Sequence, residues 1–365
     1  MRSIVRPTLL LDEEKCKTNI SRMAEKARRL KVSFRPHFKT HQSHEVGRWF
    51  RQHGVEKVTV SSLVMAEYFA SDGWEDITVA FPVNVLEDQL INRLAANIRL
   101  NLLVESVFAV NQLGEKIRHP VNVYVKIDSG YHRAGINPSD ERLMGAVLSE
   151  IAQYDNLKFA GFLTHAGHSY KARSRNEIEQ IHNESLAVMR KIKSTYAAKY
   201  PDLVISVGDT PCCSTMEDFL GVDEIRPGNF VFYDITQSVI GSCGLNDIAV
   251  CMACPVVSRH PQRNELIIYG GSVHFSKDTV ADKGVQIFGR VVRLNDAGWE
   301  LPPTNMYIKS LSQEHGLVHA TPEDQAGIRE GDVLGILPVH ACLAAECMGA
   351  YRNLNGNSVQ RFRYG

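Results

Sequence analysis

Along residues 31–235, short runs rich in β-branched and aromatic residues alternate with longer stretches whose apolar residues return every three or four positions. The short runs start at Val32 (VSFRPHF), Lys57 (KVTVSS), Asp76 (DITVAFP), Leu100 (LNLLVES), Val121 (VNVYVKIDSG), Lys158 (KFAGFLTHAG), Leu203 (LVISVGDTP) and Glu224 (EIRPGNFVFYD). Their length and composition predict strands. Between them lie amphipathic helices such as DEEKCKTNISRMAEKARRL, with Ile20, Met23, Ala24 and Ala27 at helical spacing, and residues 176–200. Strands separated by helices pair in parallel, because a crossover helix returns the chain to the same sheet edge. Eight such units predict a closed (β/α)8 TIM-type barrel. An open doubly wound sheet fits the same length, but no G-x-G-x-x-G follows the first strand to support it.

After about residue 240 the pattern changes. IAVCMACPVVSRH, NELIIYGG, GVQIFGRVVRL and DVLGILP read as strands with no comparable helices between them, which predicts a mostly-β C-terminal domain. The extended RPTLLLD near the N-terminus is assigned to it. The expected division is 13–240 for the barrel, and 1–12 with 241–365 for the β domain.

Composition narrows the choice of partner. The 365 residues hold 41 Lys+Arg against 41 Asp+Glu, so no basic field exists for nucleic acid or an anionic membrane, and a small molecule is favoured. No apolar stretch approaches the ~20 residues of a membrane helix, and the expected location is cytoplasmic. Eight cysteines at this length are no disulfide framework. The C-x-x-C of Cys251 and Cys254, and the adjacent Cys212 and Cys213, are read as structural.

Candidate chemistry gathers where the strands end, as it does in barrels of this kind. RPHFKTH carries Lys39 between His37 and His41, and strand alternation would put all three on one face. Most lysines are solvated surface charge. One lining a pocket would be desolvated, its pKa lowered, and able to act as a base or Schiff-base nucleophile. DSGYHRAG carries Arg133, and THAGHSY carries His165 and Tyr170. GDTP (Thr210) precedes a helix, and RPGN (Arg226, Gly228, Asn229) opens the eighth strand. The last two fall near the usual barrel phosphate site. A strand-end lysine, a phosphate cradle, a histidine to stack and a nearby arginine together describe a pyridoxal phosphate site.

RPHFKTH, DSGYHRAG, FLTHAGHSY, GDTP and IRPGNFVFYD resemble the motif set of the alanine racemase-like pyridoxal phosphate enzymes, and more closely the branch of D-serine dehydratases and D-threonine aldolases. The resemblance implies that Lys39 holds the cofactor and later moves the substrate's Cα proton. It implies that Arg133 pairs with the phenolic oxygen, that His165 stacks on the ring with Tyr170 nearby, and that Thr210, Gly228 and Asn229 hold the phosphate. Arg226 is the implied partner of the ring nitrogen. In GILPVHACLAAE, His340 and Cys342 on an extended segment would point one way and offer imidazole and thiolate to one ion. Soft sulfur with imidazole favours Zn2+. The resemblance agrees, since the dehydratase branch carries His-x-Cys here, whereas the aldolase branch usually has His-x-Asp and takes Mn2+. QEHG also resembles a family motif near the metal, and the resemblance implies that His315 assists proton transfer there. The implied activity is a lyase on a small-molecule D-3-hydroxy amino acid, first a D-serine dehydratase and second a D-threonine aldolase. An amino-acid racemase and a non-catalytic cofactor carrier rank lower. The family implies a homodimer.

Overall fold

The computed structural model describes residues 4–301 and 305–363. They divide into two compact units, residues 21–228 and residues 1–20 with 229–365. In chain order the elements up to the end of the barrel are β1 (Thr8–Leu11), α1 (Glu13–Arg29), β2 (Ser33–Phe34), α2 (His44–Arg51), β3 (Lys57–Val60), α3 (Leu63–Ser71), β4 (Asp76–Pro82), α4 (Asp88–Ala95) and β5 (Arg99–Val104). Then come α5 (Val107–Lys116), β6 (Val121–Ile127), α6 (Glu141–Ile151), β7 (Leu157–Thr164), α7 (Arg175–Tyr196), β8 (Val204–Val207), α8 (Thr210–Thr215) and β9 (Glu224–Ile225).

Strands β2 to β9 form one parallel sheet in the order β2-β9-β8-β7-β6-β5-β4-β3. A bridge between His37 and Thr59 joins its two ends, so all eight expected runs lie in a closed barrel. Helices α2, α3, α5, α6, α7 and α8 each begin at a Ser or Asp whose side chain accepts a backbone N–H of the first turn: Ser43, Ser62, Ser106, Asp140, Ser174 and Asp209. Such caps satisfy donors that a helix start leaves open. Leu103, Tyr124 and Leu163 pack as one apolar cluster. A polar chain is buried beside it. Arg35 donates to Glu224 at 2.7 Å and to Asp76 at 2.6 Å, Asn101 to Asp76 at 2.8 Å, and Ser206 to Glu224 at 2.7 Å. Removing one member would strand a charge away from water.

The second unit adds α9 (Ile235–Val239), β10 (Val250–His260), β11 (Glu265–Tyr269), α10 (Ser272–Phe275), β12 (Val280–Asp282), β13 (Val285–Ile287), β14 (Gly289–Asn295) and β15 (Gly298–Glu300). Beyond these lie β16 (Tyr307–Leu311), β17 (His315–His319), β18 (Val333–Pro338), α11 (Ala341–Met348), β19 (Ala350–Asn353) and β20 (Ser358–Gln360). Its main sheet runs β11-β17-β16-β14-β18-β10-β1-β19-β20, with β15 beside β14. β1 pairs antiparallel with β10, Thr8 opposite Ala253, and parallel with β19. The run GVQIFGRVVRL, expected as one strand, is two. β13 closes a hairpin with β12, while β14 enters the main sheet from Gly289. Gly289 sits so near its neighbours that a Cβ would fall 2.6 Å from the Ile336 side chain. Among the described residues no helix is long and apolar enough to cross a membrane.

Candidate active site

The chain that carries Lys39 turns sooner than alternation predicts. β2 ends at Phe34, His37 makes its one bridge to Thr59, and residues 38–41 form a turn. Phe38 drives the turn. Its ring is fully buried, 5.0 Å from Phe50, 4.9 Å from Phe69 and 5.1 Å from Trp74. Burying that much aromatic surface outweighs continuing a strand. His41 follows it into the core, 4.4 Å from Phe38, and its Nδ1 accepts the Ser43 N–H. The expectation of three side chains on one strand face is therefore corrected. His41 is a core residue, and Lys39 stands exposed on the turn. His37 keeps its place: its Nδ1 accepts the backbone N–H of Lys39 at 3.3 Å. Burial first, then the charges of Lys39 and Arg226, hold the His37 imidazole well below its usual range, so the ring is neutral.

His165 follows β7, and its Nδ1–H donates to the Gly208 carbonyl. Burial and then Lys39 push its pKa well down, against the upward pull of that bond. The ring is thus neutral and oriented, with Nε2 left as the acceptor. Tyr170 lies 6.3 Å from it, centroid to centroid, and its Oη accepts the Thr210 N–H at 3.2 Å. Thr210 opens α8, capped by Asp209, whose carboxylate takes the Cys212 N–H at 2.7 Å. RPGN does not open the eighth strand, as expected, but follows it, because β9 is only Glu224–Ile225. That places Arg226 and Gly228 at the C-terminal rim, the end at which barrels carry their chemistry. Arg226 is 5% exposed and donates to Ser206 Oγ and, at 2.6 Å, to the Thr164 carbonyl. Burial lowers its pKa to about 10, Glu224 pulling the other way. Arg133 is exposed, its guanidinium 4.9 Å over the Tyr131 ring.

Lys126 was missed in the sequence. It is 5% exposed near the end of β6, and burial first, then Arg226 and Arg133, lower its pKa to about 8. The signal was a single cation inside the run VNVYVKI, which parallel-strand burial should have flagged.

In the second unit, His340 and Cys342 do not share an extended segment. His340 is the N-cap of α11 and Cys342 lies in its first turn, because the intervening Ala341 N–H is taken at 3.0 Å by the buried Asp234 carboxylate. The two side chains still meet, through a hydrogen bond between them. Asp278 accepts from His340 Nδ1 at 2.6 Å. Asn229 points here too. Its Nδ2 donates to Asp234 at 2.7 Å and lies 3.7 Å from Cys342 Sγ, while its buried Oδ1 has no partner among the described residues. His315 begins β17, exposed and opposite Tyr269. Imidazole and thiolate donors braced by two carboxylates suit a cation with soft-ligand preference.

The barrel unit thus holds an exposed amine, two neutral imidazoles and a buried guanidinium bonded to neutral oxygens. A Cβ added at Gly228 would lie 2.9 Å from the His37 carbonyl oxygen, so the rim admits only glycine there.

The family model of the alanine racemase N-terminal domain matches residues 11–235, and that of a serine dehydratase domain matches residues 249–353. The chain is 32% identical to the D-serine dehydratase of Dictyostelium discoideum, over 96% of this chain and 94% of the relative. It is 30% identical to the D-threo-3-hydroxyaspartate dehydratase of Delftia sp. (strain HT23), over 97% and 95%. The solved structure of the Delftia enzyme superposes with a TM-score of 0.91 at 26% identity, over 100% of this chain and 99% of that one. A cysteine-to-alanine mutant of that enzyme in the metal-free form gives 0.90 at 26% identity, over 100% and 99%. The D-threonine aldolase of Arthrobacter sp is 23% identical, over 92% and 85%.

Proposed function

The chain belongs to the alanine racemase-like family that joins this barrel to a serine dehydratase domain, and from that premise we propose that it is a pyridoxal phosphate- and zinc-dependent lyase. Its substrate is a D-3-hydroxy amino acid, and its reaction the loss of water to give a keto acid and ammonia. The observation that carries this reading is that the chain holds a rim amine, Lys39, in one unit and a His340–Cys342 donor pair in the other. The two relatives at 30% identity or above are both dehydratases. The cysteine favours the same side, since a harder carboxylate donor would suit an aldolase and Mn2+.

The residues present fit both groups. Lys39 would hold the aldehyde of pyridoxal phosphate, with His165, Tyr170, Arg133 and Arg226 around its ring and Thr210, Gly228 and the Asn229 backbone at its phosphate. His340 and Cys342 would hold Zn2+. When bound, the cofactor accepts the electron pair released at Cα and the cation eases departure of the β-hydroxyl. Lys39 Nζ takes the Cα proton, its backbone held by His37. The neutral His165, pinned by Gly208, supplies a flat face without a competing charge. Arg226 keeps a guanidinium proton where an acceptor can use it, because Ser206 and Thr164 fix its plane. His315 is read as a later proton donor on the second unit.

Purified protein incubated separately with D-serine, D-threo-3-hydroxyaspartate and D-threonine tests the reading. Keto acid and ammonia from either of the first two are expected. Glycine and acetaldehyde from D-threonine, with no ammonia from the others, would make it an aldolase.

A further inference from the structure

We propose that Asp278 is a positioning residue for the cation site, fixing the His340 ring so that Nε2, not Nδ1, is the metal-binding nitrogen. This rests on the His340–Cys342 site of the reading above. A neutral imidazole carries one N–H, and the nitrogen that donates it cannot ligate. His340 Nδ1 lies 2.6 Å from Asp278 Oδ2, so its proton is committed to the carboxylate. Asp278 comes from the segment between α10 and β12, 62 residues away in sequence, and its own N–H is held by Ser276 Oγ at 3.2 Å. The brace therefore does not move with α11. The rest of the site is restrained in the same manner. Asp234 Oδ2 holds the Ala341 N–H at 3.0 Å and the Asn229 amide at 2.7 Å, and that amide reaches toward Cys342 Sγ at 3.7 Å. One carboxylate thus sets the ring and another sets the backbone between the two donors. Carboxylates behind a ligating histidine raise its basicity and fix its rotation. The Asp278 side chain is 44% exposed, so replacing it opens no cavity in the core.

The test is competition for Zn2+ between a chromophoric chelator and the metal-stripped, cofactor-loaded full chain, as wild type, Asp278→Ala and Asp278→Asn. Asp278→Ala should bind Zn2+ about 10- to 100-fold more weakly, while the cofactor absorption band keeps its wild-type intensity. Asp278→Asn, whose side-chain oxygen still accepts from Nδ1–H, should keep most of the affinity. Wild-type affinity in Asp278→Ala overturns the positioning role and leaves the cation site standing. Equal loss in both variants overturns it as well, by making Asp278 a direct ligand. A wild type that binds no Zn2+ removes the cation site itself.

Discussion

Lys126 shows what burial does to a single cation, and its consequence can be given a sign. Its folded pKa of about 8 lies below that of a lysine in an unfolded chain, so the native state binds its proton less tightly. Below about pH 8 both states are protonated and the cost of the buried charge is fully present. Between there and roughly pH 10 the unfolded chain binds more protons, and stability rises with pH through that window. Lys126→Met should therefore stabilise the cofactor-free protein at pH 7 by up to about 3 kcal/mol, seen as a higher thermal midpoint. The gain should shrink as pH climbs from 8 to 10, and thermal unfolding at several pH values checks it. Lys39 makes the contrast. RPHFKTH marked it through the density of histidines around it, yet those neighbours misled on geometry, since the run of buried rings beginning at Phe38 decides where the chain turns. Period-2 patterning carries no information about a tertiary contact of that kind.

At the scale of elements, many strands and helices of the barrel were plain in the sequence because runs such as β6 are buried on both faces and helices such as α7 are capped by their own Ser or Asp. The loops were less so. RPGN could be seen, but its side of the strand depended on β9 being two residues long. In the second domain β16, β17, β19 and β20 are half-exposed strands of three to five residues, too short for their alternation to mark them, and pairing with neighbours makes them strands. The helical start at His340 was hidden for a related reason: Asp234, which fixes it, lies 107 residues away. The RPGN loop offers a direct test. Gly228→Ala would bring a methyl group to 2.9 Å from the His37 carbonyl and 3.4 Å from Thr40 Oγ1. Relief requires the loop to move, at a cost of about 1–3 kcal/mol. The expected outcome is a lower thermal midpoint and a weaker dissociation constant for pyridoxal phosphate, read by absorbance titration.

For the whole molecule, Lys39 and the His340–Cys342 pair belong to different compact units, and removing the metal should leave the cofactor bound. A chelator should abolish turnover of D-serine and leave the cofactor absorption in place, and added Zn2+ should restore the rate. Loss of absorption together with the metal would show that the groups depend on each other for binding. Pyridoxal phosphate at a hundredfold excess over its dissociation constant should stabilise the protein by about 2.7 kcal/mol, and a thermal shift measures it. The order of the sheet has a consequence in time as well. Strand β1 finds its partner in β10, with Leu11 opposite Val250 and Leu9 opposite Met252. During synthesis β1 leaves the ribosome ahead of β10 and must wait while more than two hundred residues follow. At roughly 5–20 residues per second the wait is on the order of ten to fifty seconds. Throughout it the nascent chain carries Leu9, Leu10 and Leu11 without the partner strand that buries them.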